Sequence, residues 1–262
     1  MDIQLQKPLK ILLIGESCLD EYKMGTVTRI SPEAPVPVIH HQHTIRKDGM
    51  AANVKNNLEA LGCDVTFLTN DNRELIKRRF VDIKSHQQLL RQDVGDSVKP
   101  LDISTIEVID KTEFDTVVLS DYNKGLLTDN TISYICKRFR GQVYVDTKRP
   151  DLNAFVYAYI KLNEQEDSLS FNQPSNSTKI VTLGSEGSVC EGVHYPSENV
   201  QVHDVTGAGD VFLAALAVFG STDMIQTGIK AATSLASKSV EYFGTHTLTD
   251  KDLEDSGWKI SK

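Results

Sequence analysis

The chemistry this chain could perform is concentrated in one string, Asp204-Val205-Thr206-Gly207-Ala208-Gly209-Asp210, which runs directly into the apolar stretch Val211 to Phe219. Small residues at 207 to 209 let backbone N–H groups approach a ligand with no side chain in the way. A helix beginning here adds its positive end, so the turn suits the charge of a phosphate. Asp210 falls in the first helical turn, within reach of whatever the amides hold. A carboxylate would repel a phosphate that merely rested there. It makes sense if Asp210 takes a proton from an attacking hydroxyl while the amides of Gly207, Ala208 and Gly209 steady the transferring phosphoryl group. The plain alternative is a glycine-rich helix start with an Asp that the helix dipole favours. The string lacks the GK[ST] of a Walker loop and is not GxGxxG.

The whole chain narrows the classes further. Its 262 residues, 40% hydrophobic, suit a single domain spanning 1–262. Lys plus Arg number 28 against 36 for Asp plus Glu, a net charge of −8. That balance argues against nucleic-acid binding, which needs a dense basic face. No apolar run approaches the roughly 18 to 20 residues of a membrane span, and Ile11 to Ile14 has strand length rather than that of a signal-peptide core. Neither membrane insertion nor secretion is expected, and a cytoplasmic location is. Cys18, Cys63, Cys136 and Cys190 are scattered with no CxxC pair, the usage of reduced, mostly buried thiols. His41 and His43 would share one face of a strand beside His40 but lack a third ligand, so a packing or solvated role outweighs a metal site. Trp258 reads as a packing anchor.

These residues need elements to position them. Leu9 to Ile14 is short, branched and apolar and breaks at Gly15, the pattern of a strand buried on both faces. Val65 to Leu68, Thr116 to Leu119, Gln142 to Val145 and Lys179 to Leu183 repeat it. Between them Ala51 to Leu61, ending at Gly62, and Asn130 to Phe139 have helical spacing. Val211 to Phe219 and Thr227 to Tyr242 read as two late helices. Alternating strands and helices predict an α/β fold, a mainly parallel sheet with helices on both faces. Val36 to Ile45 is strand-like but is flanked or interrupted by Pro35 and Pro37, which suits an edge strand. With Phe80 to Leu90, also extended, it predicts a small second sheet covering the first. The roughly eight residues between Leu68 and Lys77 are too few for an ordinary crossover of about ten to twelve.

The seven-residue string resembles the signature of the ribokinase-like (PfkB) carbohydrate kinases, and other segments agree in order over roughly residues 9–250. Gly15-Glu16-Ser17-Cys18-Leu19-Asp20 resembles the family's first substrate-binding loop, and Gly49-Met50-Ala51-Ala52-Asn53 its G-G-x-x-x-N stretch. Asn163-Glu164-Gln165-Glu166 resembles N-x-x-E, and Thr182-Leu183-Gly184-Ser185-Glu186-Gly187 the nucleotide-side loop. Arg29-Ile30-Ser31-Pro32-Glu33-Ala34-Pro35-Val36-Pro37-Val38, with Gln87 to Arg91, Leu119 to Gly125 and Val145-Asp146, is similar to the heptose-7-phosphate kinase domain of ADP-heptose synthases.

The resemblance implies a three-layer fold with a β lid from about 20–46 and 76–94. It implies ATP and Mg2+, with Asp210 as general base and the amides of Gly207, Ala208 and Gly209 as anion hole. Asn163 and Glu166 would order magnesium through water, and Thr182, Gly184 and Gly187 would face the nucleotide. Asp20, Gly49 and Asn53 would meet sugar hydroxyls, Asp20 from just after a parallel strand. Lys124 would hold the substrate's own phosphate as a point charge, with Arg91 and Arg29 as further candidates. Three departures stand out. Met50 replaces the second glycine, so a bulkier side chain sits where backbone should approach the sugar. The segments after Leu68 and after Glu166 are shortened. The 262 residues show no nucleotidyltransferase-like half, so only the first of a bifunctional synthase's reactions is expected of them. The function implied is an ATP-dependent sugar or sugar-phosphate kinase acting on a heptose-phosphate-like substrate, dimerising through an exposed lid edge. The alternatives are a kinase for another sugar or a nucleoside, and a sugar- or nucleotide-binding member of the fold without turnover.

Overall fold

The structure, a computed structural model, describes residues 2–4, 7–222 and 224–261. Fourteen strands and seven α-helices are found among them. The strands are β1 (Asp2–Gln4), β2 (Lys10–Gly15), β3 (Ser17–Ile30), β4 (Pro37–Met50), β5 (Asp64–Leu68), β6 (Ile76–Asp82), β7 (Gln88–Val94), β8 (Thr116–Asp121), β9 (Val143–Thr147), β10 (Ala158–Asn163), β11 (Thr178–Thr182), β12 (Ser188–Cys190), β13 (Val193–Tyr195) and β14 (Lys259–Ser261). The helices are α1 (Ala51–Ala60), α2 (Ile103–Glu107), α3 (Asp129–Arg138), α4 (Glu164–Leu169), α5 (Ala208–Thr222), α6 (Ile225–Ser239) and α7 (Asp250–Asp255).

The main sheet has eight strands in the order β13-β12-β11-β10-β9-β8-β2-β5, parallel from β5 to β11 and antiparallel over β12 and β13. Strand alternation sorts its side chains into two cores. Ile11 and Leu13 join Val54, Leu58, Val118 and the apolar length of α5 on one face. Leu12 and Ile14 join Val117, Leu119, Ile132 and Ile135 on the other. A sheet covered on both sides must carry apolar residues at consecutive positions, and the unbroken run at 11–14 meets that demand. Cys18, Cys136 and Cys190 are buried, and Trp258 packs edge-on against Phe219 with ring centroids 5.2 Å apart.

A separate four-stranded sheet, β4-β3-β6-β7, makes the lid. Its longest member is the main departure from the sequence reading. Gly15 to Asp20 was expected as a loop after the first strand, whereas the chain passes from β2 straight into β3, and Asp20 is the fourth residue of that 14-residue strand. The passage is tight: a side chain on Gly15 would collide with the Ser120 carbonyl. The shortened segment after Leu68 is explained in the same way. It makes no crossover within the main sheet but climbs from β5 to lid strand β6, tied by the Leu19 N–H to the Leu75 carbonyl at 2.9 Å. As its prolines suggest, β4 is an edge of the lid. His40, His41 and His43 are exposed on it, His41 sharing a hydrogen bond with Thr44. No cluster of three or more His, Cys, Asp or Glu able to hold a metal is found among the described residues.

Helix α5 is buried from Asp210 to Phe219 and crosses α6 where Gly228 faces Gly220. A Cβ at Gly228 would lie 2.6 Å from the Gly220 backbone. Gly228→Ala should therefore force the helices apart and cost about 1–3 kcal/mol. Urea unfolding should show this as a lower midpoint with an unchanged slope.

Candidate active site

The turn before α5 is built by Asp204. Its Oδ1 accepts from the Thr206 N–H at 2.9 Å and hydroxyl at 2.7 Å, and its Oδ2 from the Gly244 N–H at 2.9 Å. These contacts bend the chain so that Gly207 sits at φ 84°, where a side chain is strained. A Cβ at Gly207 would also lie 2.8 Å from Asn53 Nδ2. The N–H groups of Gly207, Gly209 and Asp210 have no acceptor among the described residues. Ala208 differs from its neighbours, because its N–H donates to the Val205 carbonyl at 3.3 Å. The donors left open at this helix start are thus Gly207, Gly209 and Asp210.

Asp210 is only 4% exposed. Its Oδ2 accepts from Asn53 Nδ2 at 2.9 Å and its Oδ1 from the Tyr122 hydroxyl at 3.0 Å. Burial pushes its pKa up to about 6. The Asn53 hydrogen bond opposes that rise, Asp146 adds to it, and Tyr122 and Lys77 oppose it. A carboxyl poised there is ionised at neutral pH and still basic enough to take a proton. The Tyr122 phenol is held well above its usual range by burial and by Asp210, so it remains a donor.

Beneath the turn runs a chain of charges. Lys161 Nζ meets Asp146 Oδ2 at 2.8 Å, Lys148 lies 3.6 Å from Asp146 Oδ1, and Lys148 also pairs with Glu166. A Cβ at Gly209 would lie 2.9 Å from Lys161 Nζ, so the chain reaches the underside of the anion turn. Asp146 is 5% exposed and Lys161 3%. Burial would raise the Asp146 pKa, but Lys161 and Lys148 hold it below the usual carboxylate range. Its Oδ1 accepts no hydrogen bond from any described residue. A buried anionic oxygen with room for one more partner suits magnesium, which takes one or two carboxylates and fills the rest with waters and phosphates.

Asn163 and Glu166 form a reciprocal capping box at the start of α4. Asn163 Oδ1 accepts the Glu166 N–H at 2.9 Å, and Glu166 Oε2 accepts the Asn163 N–H at 2.8 Å. Asn163 pairs in register with Thr182 across β10 and β11. Thr182, Gly184 and Gly187 line a cavity of about 550 Å³ together with Ala208 and Gly209. The structure thus brings the expected nucleotide-side residues to the anion turn, and sets N-x-x-E beside them through the Glu166–Lys148 pair.

On the other side, Asp20 lies buried in β3 and is paired with Arg79 of β6. A side chain on Gly49 would collide with the Asp20 carboxylate. Met50 keeps the backbone of a glycine, φ 59° and ψ −134°, and its side chain packs with Cys18, Leu75, Val98 and Leu126 beneath the lid. The expected obstruction therefore takes the form of a buried cluster that Tyr122 also touches. Lys124 is placed by its backbone, its N–H donating to Glu16 at 3.1 Å, while its ammonium makes no ion pair with any described residue. The cations beside the Asp210 network are others. Lys77 of β6 lies 4.8 Å from the centre of the Tyr122 ring and Lys148 lies 5.5 Å from it. Tyr122, Lys77, Lys148, Lys161 and Asp146 escaped the sequence reading as site residues. Three were visible only as ordinary lysines, and only the SDYNKG and Val145-Asp146 strings pointed near the others.

Known proteins resemble this chain in sequence and in fold. Residues 141–252 match the pfkB family carbohydrate kinase. The Bifunctional protein HldE of Nitratiruptor sp. is 30% identical over 97% of this chain, and that of Trichlorobacter lovleyi is 31% identical over 95%. The chain spans 66% and 63% of those relatives' own lengths. Among solved structures, ribokinase from Thermotoga maritima superposes with a TM-score of 0.72 at 20% identity, covering 95% of this chain and 99% of that one. Phosphofructokinase-2 from Escherichia coli gives 0.72 at 13%, covering 95% and 98%. These two likenesses concern the fold alone. The family match and the relatives show that the chain carries a pfkB family carbohydrate-kinase domain, that of a phosphotransferase with an alcohol group as acceptor.

Proposed function

We propose that the chain is an ATP-dependent kinase for a sugar or sugar phosphate, with a heptose-phosphate-like acceptor. The observation that carries this reading is Asp210: a buried, ionisable carboxylate between Asn53 and Tyr122, beside open backbone donors and a cavity of nucleotide size. The heptose assignment rests on the Arg29 to Val38 string and on relatives named HldE. A Cryptococcus neoformans ribokinase, solved in complex with ADP, has the same fold at a TM-score of 0.62 and 16% identity, covering 94% of this chain and 99% of that one.

In this reading ATP occupies the cavity at Thr182, Gly184 and Gly187, with its γ-phosphate at the open amides of Gly207, Gly209 and Asp210. The acceptor lies between the sheets near Asp20, Gly49 and Asn53. As the acceptor hydroxyl oxygen bonds to the γ-phosphorus, the bond from phosphorus to the ADP oxygen breaks and the hydroxyl proton passes to Asp210. Little covalent help is needed, so positioning and charge neutralisation dominate. Magnesium, when bound, would neutralise phosphate charge, held by Asp146 and through water by Glu166 and Asn163. Lys161 and Lys148 stabilise the same region from below. The four-stranded sheet acts as a lid that excludes water from the γ-phosphate, the described residues work as one kinase domain, and the exposed edge of β4 is a dimer interface. Lys124 keeps its proposed place as a ligand for the substrate's own phosphate, and a cytoplasmic setting suits reduced thiols. No described helix is long and apolar enough to cross a membrane.

ADP release with ATP and magnesium should be measured against heptose 7-phosphate, ribose, fructose, fructose 6-phosphate and a nucleoside. Turnover of one acceptor, reduced about 10²- to 10⁴-fold in Asp210→Asn, is expected. Equal rates in both proteins would overturn the assignment of the base. ATP binding without turnover of any acceptor would favour a binding protein. The pH profile gives a second check. Asp210 must be ionised to accept the proton and titrates at about 6. The rate should be flat through neutral pH and fall as pH drops below about 6, approaching tenfold per pH unit.

A further inference from the structure

A fully buried carboxylate lies outside the proposed chemistry. Glu16 is 0% exposed, at the junction between β2 and β3. Its Oε2 accepts the N–H of Tyr122 at 2.8 Å, and its Oε1 accepts the N–H groups of Lys124 at 3.1 Å and Leu126 at 3.2 Å. The loop turns these alternate amides to one side because Asn123 and Gly125 adopt positive φ, 55° and 105°. Successive N–H groups aimed at one point form a concavity for an anion, and here the occupant is a side chain of the same protein. The carbonyl of Glu16 also accepts the Ala51 N–H at 2.9 Å, which opens the helix that carries Asn53. Both donors to Asp210 therefore trace back to Glu16, Tyr122 through the nest and Asn53 through the start of α1.

We propose that Glu16 is a positioning residue, whose carboxylate fills the amide nest of residues 122–126 and thereby holds the Tyr122 hydroxyl on Asp210. The inference deepens the kinase reading and rests on Asp210 being its base. Each carboxylate oxygen of Asp210 has one lone pair engaged, by Asn53 or by Tyr122. Fixing both aims the remaining lone pairs at the crevice, where an acceptor hydroxyl must arrive. A glutamine at position 16 would present an NH2 group to amide donors and open the nest, whatever the residue's part in overall stability.

The charged and titratable groups around Asp210 come from several elements. They are Tyr122 from the loop, Asp146 and Lys148 at the end of β9, Lys77 from the lid and Cys18 from β3. Glu16 itself faces Asp121, and burial followed by that neighbour raises its own pKa. Among these groups only Tyr122 links the nest to Asp210 by a hydrogen bond.

The test follows Asp210 directly. The protein is labelled with carboxyl-¹³C aspartate, the Asp210 signal is assigned by its loss in Asp210→Asn, and its titration is read by NMR without any turnover. Wild-type Asp210 should titrate near 6. Tyr122→Phe removes a hydrogen bond to the ionised form and should move the midpoint upward by about one pH unit. Glu16→Gln should move it in the same direction, and the double variant no further than Tyr122→Phe alone. Gly125→Ala offers a second route should Glu16→Gln fail to fold. It leaves both side chains in place but strains φ 105° and sets a methyl 3.1 Å from the Val98 carbonyl, so the midpoint should rise again. An unmoved midpoint in folded Glu16→Gln or Gly125→Ala, or shifts that add fully to that of Tyr122→Phe, would overturn the proposal. Absence of sugar turnover would instead count against the kinase reading and leave these midpoints readable.

Discussion

A carboxylate sealed from water at the start of a helix is the demand that organises this molecule. Desolvation disfavours the charged form of Asp210, and a fully protonated Asp210 could take no proton from an acceptor. The fold must supply enough donors to keep ionisation within reach of neutral pH, but not so many that the carboxylate loses basicity. It supplies two, and each ties a distant part of the chain to α5. Asn53 ties in the first helix, and Tyr122 the loop after β8. Asp146 pushes the other way, and it lies close because the Lys161 pair that holds it belongs to the same floor. The outcome, a pKa of about 6, reflects this opposition rather than any single partner.

The charge chain from Glu166 through Lys148 and Asp146 to Lys161 has a similar logic. Burying ions is costly, and a buried pair replaced by apolar residues often leaves a protein no less stable. Stability is therefore a weak reason to keep Asp146 and Lys161 under the anion turn. Under the proposed function, a site that receives the charged phosphates of ATP gives a stronger one. A lysine already desolvated and held in place, as Lys161 is, needs no reorganisation when charge develops above it. The capping box of Asn163 and Glu166 fits the same scheme. By fixing the first turn of α4 it keeps the Glu166 carboxylate against Lys148, at the far end of the chain from Gly209.

Much of this was legible in the sequence where one residue type has few uses. The run at 11–14 read as a strand covered on both faces, and Gly62 and Gly207, both at positive φ, marked turns that favour glycine. The seven-residue string located both the anion turn and its carboxylate. Strand β3 was illegible because it alternates imperfectly. Ser17, Asp20 and Glu21 are buried beside Cys18 and Tyr22, so polar residues occupy positions where a strand pattern expects apolar ones. Asp20 and Glu21 are inside because lid strand β6 carries Arg79 and Arg78 to pair with them, one on each face, a relation set by strand register rather than by local spacing. Lys77, Lys148 and Lys161 stayed hidden for the same reason. A lysine in sequence carries no mark of its tertiary neighbours, and only the meeting of β6, β9 and β10 around one turn singles out these three.

Met50 shows how the fold accommodates a residue that local rules disfavour. A left-handed backbone at φ 59° costs a methionine about 1–3 kcal/mol, and a glycine there would avoid that cost. The side chain returns a comparable amount, since burying a methionine is worth about 1.5–3 kcal/mol, and it does so among Cys18, Leu75, Val98 and Leu126. Those neighbours come from lid strand β3, the climb to β6 and the loops beside β7 and β8. Methionine at this position therefore fastens the base of lid strand β3 to the loop that carries Tyr122. The second glycine of such a pair leaves backbone open to a ligand; here the same backbone path is kept, and the gain is a packed joint between the lid and the residue that orients Asp210.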